Sequence, residues 1–337
     1  METTLPSRAT LFAVSNRLSR RQAVALGAGA LSMAACKRFG IPLSPPTGES
    51  PATPDEKRAR KVTLVVDSQP HIEGAGVHLR RALGTRELSL LDPFLMLDEF
   101  HSDKPEDYEP GFPSHPHRGF ETVTYMLHGA VEHRDSLGNH GHLGPGCAQW
   151  MTAAHGIIHS EMPVHDPGNP LMWGFQLWIN LPAARKLAPP RYQDIPPAQI
   201  PRVEIDDAVV RLVAGSAGGQ TGPVSGIATA PQMMDIALQR RGAVRHAIPA
   251  GHNAFVFVFE GEAQLGPERT KVRAGQLAVL GEGETFTARA ETNARLLSFA
   301  GRPINEPVAR YGPFVMNTDD ELRTAIDDYR GGRLTVL

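Results

Sequence analysis

The chain has 337 residues, 41% hydrophobic and 21% charged, the balance of a soluble globular protein long enough for two domains of about 100–150 residues. A formal net charge of −2 argues against the broad basic surface that nucleic-acid binding requires. With 33 glycines, 29 prolines and few long helical patterns, the chain reads as all-β, many short strands joined by turns.

Residues 1–36 read as an export signal, to be kept apart from the fold. Ser19-Arg20-Arg21-Gln22 resembles a twin-arginine motif, although Gln22-Ala23-Val24 replaces the apolar residues that usually follow the arginines. The small-residue run Ala23–Ala35 is too short for a membrane-spanning helix, which needs about twenty residues. Met33-Ala34-Ala35-Cys36 resembles a lipoprotein cleavage site, so Cys36 is a candidate for acylation, with simple cleavage as the alternative. The expected location is the periplasm. Only one other cysteine, Cys147, is present, and no structural disulfide is expected. Residues 37–61 form a proline-rich linker whose composition cannot bury a core.

A first domain is expected over 62–182, opening with the strand VTLVV at Val62–Val66. Residues 88–100 read as a buried strand with a turn at Asp92-Pro93. Two phrases then carry chemistry, His115-Pro116-His117 and His159-Ser160-Glu161. Side chains at i and i+2 share one face of a strand, so each phrase offers two ligands from one side. Strands paired with those faces inward would bring together three imidazoles and one carboxylate. That set suits a divalent first-row metal and leaves one or two coordination positions for substrate or dioxygen. Nine of the fourteen histidines fall between His115 and His165, where even spreading would put about two. If the strand after His117 is unbroken, Glu121 shares the ligand face. His140-Gly141-His142 repeats the spacing among glycines and is read as a decoy off any strand, and His155 is given no metal role. Trp150, Trp173 and Trp178 are expected to pack the barrel. The apolar alternation of 171–182 closes the first sheet.

Residues 183–201 read as a linker and 202–300 as a second domain with the same rhythm of strands and turns. Gly251-His252-Asn253 lacks the paired histidines, so this half is expected to be metal-free. The tail, 301–337, carries one helix. Thr318 with Glu321 matches a capping box, Leu322, Ile326 and Tyr329 share a face, and Gly331 suits the C-cap.

The runs GFPSHPHRGFETVTYML, QWMTAAHGIIHSEMP and NEPVARYGPFVMNT closely resemble the pirin family of bicupin proteins, over about Arg80 to Tyr329. The resemblance implies two β-barrel cupin domains, the N-terminal one metal-binding, with a C-terminal helix. It implies iron, most simply Fe(II), held by His115, His117, His159 and Glu161. In cupins generally a glutamate shortly after the H-x-H is often a ligand, which ranks Glu121 second. Its alternative role is a carboxylate hydrogen-bonded to a ligand imidazole. The activity implied is that of a quercetin 2,3-dioxygenase: a flavonol's central ring is opened with dioxygen and carbon monoxide is released, with Glu161 or Glu121 accepting the hydroxyl proton. The alternative is a non-enzymatic iron-binding protein that senses redox state. The expected partners are therefore a small aromatic enol and dioxygen, and the chain is read as a monomer without a membrane span.

Overall fold

The computed structural model describes residues 58–336. The export signal, Cys36 and the linker as far as residue 57 lie outside the described residues. Among the described residues, no helix is long and apolar enough to cross a membrane.

Four antiparallel sheets make two sandwiches. In the first half a seven-stranded sheet runs in the order Arg191–Ile195, Ala148–Thr152, Phe120–His128, Met172–Asn180, Phe94–Ser102, Val77–Leu83 and Gln69–Glu73. Opposite it lies a four-stranded sheet of Phe112–His117, Ile157–Pro163, Val131–Asp135 and His140–Leu143. The second half repeats the plan. Its large sheet is built from Val62–Asp67, Gln276–Leu280, Asn253–Glu260, Ala294–Gly301, Gln232–Leu238, Ala208–Ala214 and Arg202–Ile205. Its small sheet pairs Ala243–Ala247, Thr285–Arg289, Glu262–Leu265 and Thr270–Arg273.

Two strands cross the boundaries drawn from sequence. Val62–Asp67, placed there with the first domain, is the edge strand of the second half, with Val65 opposite Ala278. Arg191–Ile195, placed in the linker, extends the first half's sheet with Tyr192 opposite Met151. A strand of five or six residues does not state in its own sequence which sheet edge will accept its hydrogen bonds, so these pairings are set by the tertiary fold.

The two large sheets pack face to face. Asn253–Glu260 shows why the sequence there is continuously apolar. Phe255, Phe257 and Phe259 point into the core between the halves, while Ala254, Val256 and Val258 fill the second half's own interior. Phe94 meets Phe255 edge-on at 5.1 Å, and Phe255 stacks on Phe299 at 4.7 Å. A buried polar contact crosses this seam. The Tyr125 hydroxyl donates to Asp235 (2.7 Å), which also accepts from Arg295.

The interiors of the two halves differ. Val210, Leu212, Ile236, Val258 and Phe286 pack the second. His252 there donates through Nε2 to the Ala230 carbonyl at 3.1 Å. The first interior buries Thr122, Thr124, Gln149, His117, His133, His159 and Glu161 instead. Buried polar groups persist only when they are satisfied, so this lining marks a site rather than a core.

After Gly301 the chain returns to the first half. The hairpin Ala309–Tyr311 and Phe314–Met316 docks beside the His117 loop, with the Val315 amide donating to the Arg118 carbonyl at 3.0 Å. Helix Asp319–Arg330 follows, its N-terminus closed by the Thr318–Glu321 capping box. It packs Leu322, Ala325 and Ile326 on Phe314 and Met316, whereas Tyr329 is exposed and Gly332, not Gly331, takes the positive φ. Arg118, buried beneath the helix, pairs with Asp328 at 2.9 Å.

Candidate metal centre

His115 and His159 stand directly opposite each other on paired strands of the small sheet. His117 joins them, being two residues from His115 on the same face. The three rings lie 4.3–4.8 Å apart between centroids. One nitrogen from each lies within 4.8 Å of the others.

Hydrogen-bond logic fixes which nitrogens face inward. His115 Nδ1 lies 2.8 Å from the Pro113 carbonyl and His117 Nδ1 lies 3.4 Å from the Pro313 carbonyl. A carbonyl only accepts, so both Nδ1 atoms carry a proton, and in the neutral rings that metal binding requires both Nε2 atoms carry a lone pair. Those two Nε2 atoms are 3.1 Å apart. His159 Nε2 is buried without any partner. Burial, reinforced by the neighbouring rings, holds His117 and His159 well below the usual imidazole range and therefore neutral. Two lone pairs facing each other at hydrogen-bond distance repel unless a cation lies between them. With an orphaned third nitrogen beside them, the donor set fits a divalent metal ion.

Glu161 follows His159 on the same strand, across an irregularity in the pairing with Phe112–His117. It is buried and forms a second potential ligand group with His133 and His159, sharing His159 with the first. Thr124 donates to its Oε1 (2.9 Å) and Gln176 to its Oε2 (2.8 Å).

Glu121 does not join them. The chain turns between His117 and Phe120, with Gly119 at φ +91°, and the strand is broken there. After the break the even positions face the site: Phe120 touches the His117 ring and Thr124 holds Glu161. Val123 and Tyr125 face the seam between the halves, and Glu121 shares their face, accepting from the Thr152 hydroxyl at 2.7 Å. The unbroken-strand expectation for Glu121 therefore fails. Glu121 is in neither group of potential metal ligands among the described residues.

His140 and His142 do lie on a strand, contrary to the expectation, but both are exposed. His155 belongs to neither histidine group. Trp150 and Trp173 pack the seam as expected, while Trp178 lines the site. The sequence reading missed His133, which is completely buried and stacked on Tyr192 at 4.7 Å. The alternation of Val131, His133 and Asp135 in VEHRD was the available signal.

A pocket of about 690 Å³ leads from the surface to His115 and His117. Phe112, Met96 and Trp178 form its apolar walls, and Arg81, Asp98 and Arg310 its polar side. Arg81 and Asp98 make a two-pronged ion pair at 2.7 Å, and the Arg310 guanidinium lies over the Trp178 ring at 4.7 Å. Arg310, Gly312 and Pro313 come from the returning tail, so both halves of the chain build this pocket.

The family models for Pirin and for the Pirin C-terminal cupin domain match residues 76–179 and 233–335. The chain belongs to the pirin family. Among curated relatives, a Pseudomonas aeruginosa protein provisionally named a quercetin 2,3-dioxygenase is 47% identical over 285 residues, 83% of this pirin and 99% of the relative. A crystal structure of quercetin 2,3-dioxygenase from Acinetobacter baumannii is 33% identical and superposes with a TM-score of 0.75, covering 82% of this pirin and 98% of that chain. The bacterial pirin of Escherichia coli, solved in complex with nickel(II), shares the fold at 20% identity, with a TM-score of 0.56 and coverage of 71% and 99%. This pirin is a bicupin.

Proposed function

We propose that this pirin is a dioxygenase of the quercetin 2,3-dioxygenase type, using Fe(II) held by His115, His117, His159 and Glu161. Its substrate would be a flavonol. The observation that carries the reading is the convergence of three imidazole nitrogens, two on rings whose Nδ1 protons are held by backbone carbonyls, beside a pocket of about 690 Å³ that His115 and His117 line. The names of the Pseudomonas and Acinetobacter relatives support it.

The ion supplies Lewis acidity toward the 3-hydroxy-4-keto edge, lowering the hydroxyl pKa. The other roles fall to the chain. Phe112, Met96 and Trp178 receive the flat rings and displace water from them. Arg81, Asp98 and Arg310 offer polar contacts to the ring hydroxyls. Glu161, oriented by Thr124 and Gln176, accepts the 3-hydroxyl proton and returns it as product leaves. In the balanced reaction, flavonol and dioxygen give carbon monoxide and an ester acid that keeps both oxygen atoms of the dioxygen. A purely iron-sensing role would leave the substrate-sized pocket without a use.

The test is oxygen uptake and carbon monoxide release by the Fe(II)-loaded chain with a panel of flavonols. The reading expects equal amounts of both gases, abolished in His117→Ala. Absence of turnover across the panel rejects it. The export reading rests on Ser19-Arg20-Arg21-Gln22, the small-residue run Ala23–Ala35 and the cleavage-site pattern ending at Cys36. Arg20→Lys with Arg21→Lys should hold the chain in the cytoplasm, and unchanged periplasmic yield rejects that reading.

A further inference from the structure

His115 and His117 have their outer nitrogens tied to backbone carbonyls, but His159 has no carbonyl in that place. Its Nδ1 faces His133 Nδ1 at 3.4 Å. Two ring nitrogens can make this contact only if one carries the proton and the other a lone pair. The next link decides which. His133 Nε2 lies 3.3 Å from Asp135 Oδ2. The Asp135 side chain is fully enclosed and already receives the amides of Leu137 and Asn139 and the side-chain amide of Asn139, at 2.8–2.9 Å. Donors surround that carboxylate, so it accepts from His133 as well. His133 therefore carries its proton on Nε2 and presents a lone pair at Nδ1. That lone pair accepts from His159 Nδ1–H, which leaves the lone pair of His159 on Nε2, the buried atom that has no partner. The opposite assignment would set a ring lone pair against the carboxylate and leave a buried N–H on His159 with no acceptor.

We propose that Asp135 and His133 form a positioning relay that fixes the tautomer of His159 and aims its Nε2 lone pair at the three-histidine centre. The relay does through two side chains what the carbonyls of Pro113 and Pro313 do for the other two histidines. His133 is itself held in plane by stacking on Tyr192, whose hydroxyl donates to Asp194 and accepts from Gln149. Outer partners of this kind set the ring orientation and basicity of a ligand histidine. The inference rests on reading the cluster as a metal centre, but it makes a claim about His133 and His159 that stands before any metal is added.

Two measurements on the full-length chain test it. The first is two-bond proton–nitrogen NMR correlation of the histidine rings, recorded metal-free and with one equivalent of Zn(II). The relay predicts a protonated Nδ1 and a bare Nε2 on His159, with the reverse on His133, and a Zn(II)-induced shift at His159 Nε2 but not at His133 Nδ1. A protonated Nε2 on metal-free His159 overturns the proposal. So does Zn(II) binding at His133 Nδ1, which would make that residue a ligand beside Glu161. The second is Zn(II) affinity by chelator competition. His133→Leu should weaken binding by about 10–100-fold, while His133→Asn, whose amide oxygen replaces the Nδ1 acceptor, should recover most of it. Equal affinity in wild type and His133→Leu contradicts the relay. Failure of the wild-type chain to bind Zn(II) contradicts the metal reading instead, and the metal-free spectra then still decide the tautomer. Should His133→Leu not fold, the wild-type spectra decide alone.

Discussion

His115 and His159 each contribute one inward nitrogen to a centre that has few donors to spare, so His115→Ala or His159→Ala should lose most of the bound metal. The two glutamates should behave differently from each other. Glu161→Gln removes a charge beside the centre and should weaken metal binding, whereas Glu121→Gln, on the far face of its strand, should leave metal content unchanged. Metal analysis after identical loading checks both, and loss of metal in Glu121→Gln would contradict its placement. Glu121 matters to stability instead. Burial pushes its carboxyl up to about 7, and Glu99 is raised to about 7 in the same way. Between the unfolded value, about 4.5, and about 7 the native state keeps a proton that the unfolded chain has lost, so stability falls as pH rises through that window. The neutral isostere Glu121→Gln should then be more stable than wild type by roughly 1–3 kcal/mol at pH 8 and nearly equal at pH 4, read by denaturant unfolding. An unchanged pH slope would contradict this. The three histidines were legible because the i, i+2 spacing survives any pairing. The side of Glu121 was not legible, because it depends on the backbone at Gly119, and for His133 the only signal was the alternation in VEHRD, which has no second histidine at i+2.

At the scale of elements, the returning tail acts as a wall of the first half's pocket. A Cβ at Gly119 would lie 1.9 Å from the Val315 carbonyl oxygen, and the φ of +91° disfavours any side chain there. Gly119→Ala should therefore lift the hairpin from its seat, remove the Pro313 carbonyl from His117, and lower metal affinity although no ligand has changed. Faster proteolysis within 303–317 together with weaker metal retention is the expected result, and wild-type behaviour in both would refute the coupling. The helix that follows was readable from Thr318 and Glu321 because a capping box is a local contact. Its docking face was read less well. Ala325 joins the buried face, and Tyr329, although exposed, still meets the Phe314 ring at 6.2 Å. The pairing of Val62–Asp67 with the second half was unreadable, its partner lying more than two hundred residues away.

Over the whole molecule, strand 62–67 and the tail each tie one half to the other, and the seam between the large sheets is continuous and apolar. The two halves should therefore unfold together, as one calorimetric transition whose van't Hoff and measured enthalpies agree. Two separated transitions would show that each barrel is stable alone. The all-β class and the twofold repeat of strands were visible in composition and rhythm, and the difference between the halves in the missing H-x-H around His252. The contribution of Arg310 and Pro313 to a pocket in the other half was not visible, because only the fold brings those residues back. One metal ion should sit in the first half on His115, His117 and His159. Anomalous X-ray diffraction from crystals of the metal-loaded chain, recorded on both sides of the metal's absorption edge, locates it. One peak per chain is expected, within bonding distance of the Nε2 atoms of those three histidines. A peak held by His133 and Glu161 without His115 and His117, or one in the second half, would contradict it.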